Sequence, residues 1–149
     1  MNSFSAHLQK IFSKHNPTDI DELVLDDNME TDGTLSEEQK TALEEYVNLV
    51  HLSLGNIGLK SIKNLPRIKG LMILSLNDNE LTGDDLEQLN DYYHILNKLK
   101  LSRNKISDIN KLSSLSKLRL RKIEVEENPF TKEKNYREKL FSMLKSVKR

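Results

Sequence analysis

Few side chains in this 149-residue sequence are of a type and spacing that could do covalent or metal chemistry. The four histidines stand at positions 7, 15, 51 and 94. None is spaced His-x-x-x-His, so no helix would offer two imidazoles to one metal ion. Cysteine is absent, which excludes disulfides, thiolate zinc sites, iron–sulfur ligation and Cys nucleophiles together. His51 lies two residues from Ser53, but neither a Gly-x-Ser-x-Gly elbow nor an oxyanion donor accompanies the pair. Asp84 and Asp85 follow Gly83 without the ligand spacing of a calcium hand. They read as a helix N-terminus, where carboxylates favour the dipole. Thr18, with Asp19 and Asp21 after it, is a possible phosphorylation site for an acid-directed kinase. The preferred reading is that Thr18 or Asp19 shapes the turn after Pro17 and caps the next segment. The expectation is a protein that is not an enzyme, with no catalytic residue, metal or cofactor.

Recognition by charge must come from arrangement, because 23 Lys and Arg balance 23 Asp and Glu. A nucleic-acid binder driven by overall positive charge is thereby disfavoured. The start, MNSFSAHLQKIF, has no basic leader before an apolar run, and nowhere do 18 apolar residues run together. With no Asn-x-Ser/Thr acceptor either, an intracellular, reducing compartment is expected.

The elements that must position any binding residue come from a repeat, Leu-x-x-Leu-x-Leu-x-x-Asn. It occurs as IDELVLDDN from Ile20, LMILSLNDN from Leu71, LNKLKLSRN from Leu96 and LRKIEVEEN from Leu120. A fifth copy, LVHLSLGNI from Leu49, places Ile57 where the Asn should stand. Leu-x-Leu is a short strand whose alternation sends both Leu inward and the residue between them outward. No single copy can bury that face, so the copies stack. The Asn amide can bond turn backbone groups that would otherwise be buried unpaired. Its loss at Ile57 is expected to weaken the ladder there, with Asn56 in a position to compensate. Leu59, Ile62, Leu65 and Ile68, and likewise Ile106, Ile109, Leu112 and Leu115, are spaced for helical or 3₁₀ turns on the convex side.

Both ends of the array look capped. Phe4, Leu8, Ile11 and Phe12 share one helical stripe that stops at Asn16-Pro17. After Asn128-Pro129, the residues Tyr136, Leu140, Phe141, Met143 and Leu144 can close the last repeat. The expected fold is a right-handed α/β solenoid with a parallel concave sheet and helical caps. It is one domain over residues 1–149, with an N-terminal cap at 1–16, about five repeats at 17–128 and a C-terminal cap at 129–149.

Several of these segments resemble the acidic leucine-rich nuclear phosphoprotein (LANP/pp32) family. NPTDIDELVLDDN is similar to its first repeat, the stretch LSLGNIGLKSIKNLPRIKGLMILSLNDNELTGDDLEQL to its second and third, and NYREKLFSMLKSVKR to its C-terminal cap. The family carries a long Asp/Glu-rich tail, and no such stretch lies in these 149 residues. The resemblance therefore implies the folded half of a longer protein, or a tailless relative. It also implies histone chaperone activity, masking of histone tails from acetyltransferases, inhibition of a Ser/Thr phosphatase and residence in nucleus and cytoplasm. A spliceosomal U2 A-prime-like ribonucleoprotein scaffold, whose cap shares an Asn-Pro followed by Tyr-Arg, is the alternative.

The outward strand positions are the expected partner-binding face. Repeat one offers Glu22, Asp26 and Asp27, and repeats two and three offer His51, Ser53, Ser75, Asn77 and Asp78. Repeat four turns basic with Lys98, Lys100 and Arg103, and repeat five runs from Arg121 and Lys122 to Glu124, Glu126 and Glu127. Acidic edges suit a basic protein segment such as a histone. The basic run KLRLRK, residues 117–122, alternates with Leu and reads as strand rather than as an RNA patch. A monomer acting through protein contacts, without membrane or direct nucleic-acid binding, is expected.

Overall fold

In the computed structural model, which describes residues 2–148, the repeat produces five short strands: β1 (Glu22–Val24), β2 (His51–Ser53), β3 (Ile73–Ser75), β4 (Lys98–Lys100) and β5 (Lys122–Glu124). They pair in chain order as one parallel sheet. The register aligns Leu23, Leu52, Leu74, Leu99 and Ile123 across the sheet. That row and the next, Leu25, Leu54, Leu76, Leu101 and Val125, point into one continuous core. This is the geometry of a leucine-rich repeat solenoid, in which each repeat is buried by its neighbours.

Helices and turns close the convex side. The longest step, between the first two repeats, accommodates α2 (Glu37–Glu44), which starts with a full capping box between Ser36 and Gln39. Leu59, Ile62, Leu65 and Ile68 are all buried, yet no helix forms there. Asn64 is left-handed and Pro66 comes two residues later, and both interrupt a helical run. The second set of that spacing does form a 3₁₀ helix, Ile109–Leu118. The short α3 (Leu89–Tyr92) comes after a 3₁₀ turn at Leu86–Gln88 in the third repeat.

The caps are α1 (Ser3–Ile11), held on its Asn2 cap, and α4 (Tyr136–Met143). Phe4 and Leu8 of α1 are buried and Ile11 packs beside them. Phe12 does not join the stripe. The helix ends before it, Ser13 turns left-handed, and the ring is left exposed. At the other end Leu140, Leu144 and Val147 are buried, with Tyr136, Phe141 and Met143 packed against the core.

Three further expectations change. KLRLRK is mostly not strand: the 3₁₀ helix runs through Leu118, Arg119 is its left-handed cap, and β5 starts only at Lys122. Asp85 stands at the start of the three-residue turn but caps nothing in it. Its carboxylate instead bonds Ser61 and accepts the Ile62 N–H at 3.0 Å, tying two repeats together. Asp84 pairs with Lys111 at 2.7 Å, which holds its carboxyl below the usual range, helped by a Thr82 hydrogen bond.

The Asn ladder is real but shifted. Asn79, Asn104 and Asn128 are buried, and each amide reaches a carbonyl of the preceding repeat: Leu54, Leu76 and Leu101, at 2.9, 3.0 and 2.8 Å. Where Ile57 replaces Asn, compensation does not come from Asn56, whose side chain bonds Asp27. It comes from Asn79, whose Oδ1 accepts the N–H groups of Ile57 and Leu59 at 3.2 and 3.0 Å. Asn28 is exposed and, among the described residues, its side chain makes only a local bond to the Asp26 carbonyl, so it is no rung of the ladder. No helix among the described residues is long and apolar enough to cross a membrane.

Candidate protein-binding face

The sheet's outer face consists of rows that cross all five strands. Its first row is Glu22, His51, Ile73, Lys98 and Lys122, and its second is Val24, Ser53, Ser75, Lys100 and Glu124. Beyond the strand ends stand Asp26, Gly55, Asn77, Ser102 and Glu126, and then Asp27, Asn56, Asp78, Arg103 and Glu127. All five residues of this last row are left-handed, with φ between 52° and 65°. That conformation turns the chain out of each strand and fans five polar side chains along one margin.

Except for Arg121, which stands just before β5, the sequence-predicted positions lie in these rows, but they are not equally available. Ser53 and Ser75 form the floor of the face, each 5% exposed. Alternation correctly turns them outward, and their small size leaves them screened by longer neighbours. Ser53 Oγ donates to Asp26 Oδ1 at 2.6 Å, and the Gly55 N–H donates to the same oxygen at 2.6 Å. A Cβ at position 55 would stand 2.9 Å from Asp26 Cγ, so the glycine lets that carboxylate lie over the chain. Asn77 Oδ1 accepts the Ser102 N–H at 2.8 Å.

The charges sort into two halves. Among the described residues, the side chains of Glu22, Asp26 and Asp27 have only His51, Ser53, the Gly55 N–H and Asn56 as partners, and none of these is a fixed cation. In repeats three to five the acids are matched. Arg103 grips Asp78 at 2.6 and 3.1 Å and stands 3.7 Å from Glu127. Lys98 meets Glu124 at 3.2 Å. Bonding to Asp78 raises the Arg103 pKa further. The Ser102 hydroxyl, 2.7 Å away, holds the Glu126 carboxyl below its usual range, with Arg137 nearby adding to the effect. Lys100 and Lys122 have no side-chain partner among the described residues.

Sequence reading missed an apolar component of this face. Val24, Val50 and Met72 are each about 40% exposed and Ile95 is 53% exposed. Val50 and Met72 precede their strands, where the inward and outward alternation has not begun, so no periodicity marks them. Thr18 is exposed elsewhere, beside a concavity of about 1070 Å³ lined also by Lys10, Lys14, His15 and Tyr46. Its hydroxyl donates to Asn16 Oδ1 at 2.9 Å, and Asn16, rather than Thr18 or Asp19, caps the turn at Pro17–Asp19. Among the described residues no three His, Asp or Glu side chains cluster as metal ligands.

No family model matches the sequence. Curated proteins do. The acidic leucine-rich nuclear phosphoprotein 32-related protein of Plasmodium falciparum (isolate 3D7) is 31% identical over 138 residues, 91% of this chain and 48% of that protein. The related protein 1 of Oryza sativa subsp. japonica is 38% identical over 106 residues, 71% of this chain and 22% of that protein. The Arabidopsis thaliana protein is 34% identical over 108 residues, 72% of this chain and 24% of its own length. Over 71–91% of its length the chain is similar to these acidic leucine-rich nuclear phosphoprotein 32-related proteins, and its fold is that of a leucine-rich repeat domain. It spans about a fifth to a half of these nuclear phosphoproteins. The chain also shares its fold with U2A′ from the Drosophila melanogaster SNF/U2A′ complex, with a TM-score of 0.70 and 23% identity over 85% of this chain and 70% of that one. An internalin of Listeria monocytogenes matches with a TM-score of 0.57 and 23% identity over 87% of this chain and 33% of its own.

Proposed function

We propose that this leucine-rich repeat domain is a non-catalytic protein-interaction module of a nuclear and cytoplasmic regulator. It binds basic proteins, histones foremost, through repeats one and two of the sheet face. The observation that carries this reading is the uncompensated cluster of Glu22, Asp26 and Asp27. Asp78, Glu124 and Glu127 are engaged by Arg103 and Lys98 and so have less field to offer. A partner's Lys or Arg gains most where no resident cation must be displaced. Masking histone tails, or inhibiting a Ser/Thr phosphatase, requires only that this face occupy a basic segment or a surface of the target.

The test compares two neutralised variants, Glu22→Gln/Asp27→Asn and Glu124→Gln/Glu127→Gln, in histone H3–H4 binding by anisotropy over a salt series. Asp26 is left in place because it holds Ser53 and Gly55. With exposed charges worth about 0.5–1 kcal/mol each, the first variant should weaken binding about 5- to 30-fold and flatten the salt dependence. The second should change it by less than about 3-fold. Equal effects of the two variants, or no histone binding by the wild type at low salt, would defeat the reading.

A further inference from the structure

The strand-start margin of the sheet has an order that charge alone does not describe. The residues immediately before the strands are Asp21, Val50, Met72, Asn97 and Arg121. They are linked side by side: each N–H donates to the preceding residue's carbonyl, at 2.7, 2.9, 2.7 and 2.8 Å. The adjoining first strand row is Glu22, His51, Ile73, Lys98 and Lys122. Together the two rows run from acidic at β1, through apolar at β2 and β3, to basic at β5, and Ile95, two residues before Asn97, is 53% exposed. Within the apolar stretch, His51 turns Nδ1 to Glu22 at 3.0 Å, while its Nε2 is buried with no hydrogen-bond partner.

We propose that this margin seats an amphipathic helix from a partner protein, apolar along one face, acidic in its first turn and basic in its last. The inference rests on the reading of this face as a docking surface and specifies what docks. Adjacent strands lie about 4.8 Å apart. A helix advances about 4.5 Å from i to i+3 and about 6 Å from i to i+4, so successive anchors stand over successive strands. Five strands span about 19 Å, the length of about 13 helical residues. An extended segment fits less well, because a strand adds along a sheet edge and this strip runs across the strands.

Orientation is set by charge. Helices favour acids in the first turn and bases in the last, which places the N-terminus over Lys122 and Arg121, beside the Lys98 already paired with Glu124, and the C-terminus over Asp21 and Glu22. The helix's own dipole opposes this placement, but it amounts to about half a charge at each end against two or three full side-chain charges.

Fluorescent designed helices of about 15 residues test the proposal: one with Glu in its first turn and Lys in its last, one of the same composition with the charges exchanged, and one with its apolar anchors changed to Ser. Binding to the wild-type chain and to the Val50→Ser/Met72→Ser variant is read by anisotropy. Both replaced side chains are substantially exposed, and circular dichroism checks that the variant keeps its fold. Expected are binding of the first peptide, at least 5-fold weaker binding of the exchanged peptide, none of the third, and at least a 10-fold loss in the variant. Equal binding of the first two, an unaffected variant, or no binding of any peptide up to about 1 mM would overturn the proposal. So would dimerisation of the wild-type chain that Val50→Ser/Met72→Ser abolishes, because a second copy would then own the strip. Histone binding separates the two readings. If histones bind the wild type and this variant alike while the peptides fail, the basic-partner reading survives alone. If the peptides discriminate and histones never bind, the helix inference survives without it.

Discussion

Replacing Asn79 by Ala is expected to remove more stability than any surface change in this domain. The side chain is 6% exposed and bonds five backbone groups, four of them at 3.2 Å or less. Nδ2 donates to the carbonyls of Leu54 and Leu76 at 2.9 and 3.0 Å, and Oδ1 accepts from Ile57 and Leu59 at 3.2 and 3.0 Å. Alanine leaves all four inside the turn without that partner. At about 1 kcal/mol for each bond the loss is about 4 kcal/mol, a large fraction of the roughly 5–15 kcal/mol typical of a domain. With a urea m-value of about 2 kcal/mol/M, the midpoint should fall by about 2 M. Asn28 supplies the control: it occupies the same repeat position, is exposed and makes one local bond. Asn28→Ala should cost no more than about 1 kcal/mol. Urea titrations followed by far-ultraviolet circular dichroism measure both. If the two variants shift the midpoint equally, the ladder does not carry the energy assigned to it.

Two more outcomes concern neighbouring features. Ile57→Asn restores the repeat pattern yet should destabilise by at least about 3 kcal/mol. Ile57 is 3% exposed and its N–H is already bonded by Asn79, so the new amide is buried without a role; the same urea titration reads it, and a gain in stability would be contrary. Burial, with Tyr92 and Glu44 adding, raises the pKa of Tyr93, whose hydroxyl donates to the Pro66 carbonyl at 2.6 Å. Above pH about 10 the unfolded chain releases this proton while the fold retains it, so stability should fall by up to about 1.4 kcal/mol per pH unit. Tyr93→Phe should flatten that alkaline fall in the urea midpoint, and an unchanged slope would exclude Tyr93 as its source.

Most of the fold was legible because each strand pairs an inward Leu with an outward neighbour and every copy shares one register. Leu23, Leu52, Leu74 and Leu99 behave alike because the same local pattern produces them. What escaped depends on neighbours that the chain order does not show. The rescue of Ile57 lies 22 residues away in Asn79. Ser53 faces outward as alternation requires, yet an overlying carboxylate from repeat one covers it. KLRLRK alternates like a strand, but a left-handed Arg119 delays β5. On the candidate face, position and sign of charge were readable, whereas which acids are already spoken for was not: Glu124 meets Lys98 and Asp78 meets Arg103 only across repeats. The apolar strip lies just outside the strands, where no periodicity marks Val50 or Met72.

The direction in which the asparagines reach has a consequence for cooperativity. Asn79, Asn104 and Asn128 each clasp the repeat before them, so buried amide bonds join repeats two to three, three to four and four to five. Among the described residues no buried amide joins repeats one and two, which are linked instead by less buried side-chain bonds: those of Asp26 and Asp27, and those of Asn48, Thr31 and Asn64 to the carbonyls of Thr18, Ile57 and Leu35. In a one-dimensional array, where stability is a sum of nearest-neighbour couplings, the weakest coupling decides where the structure opens. With only these less buried bonds to hold it, the N-terminal repeat, the one that carries the unmatched carboxylates, is expected to open ahead of the block that the buried amides join, an order that native-state hydrogen exchange measures.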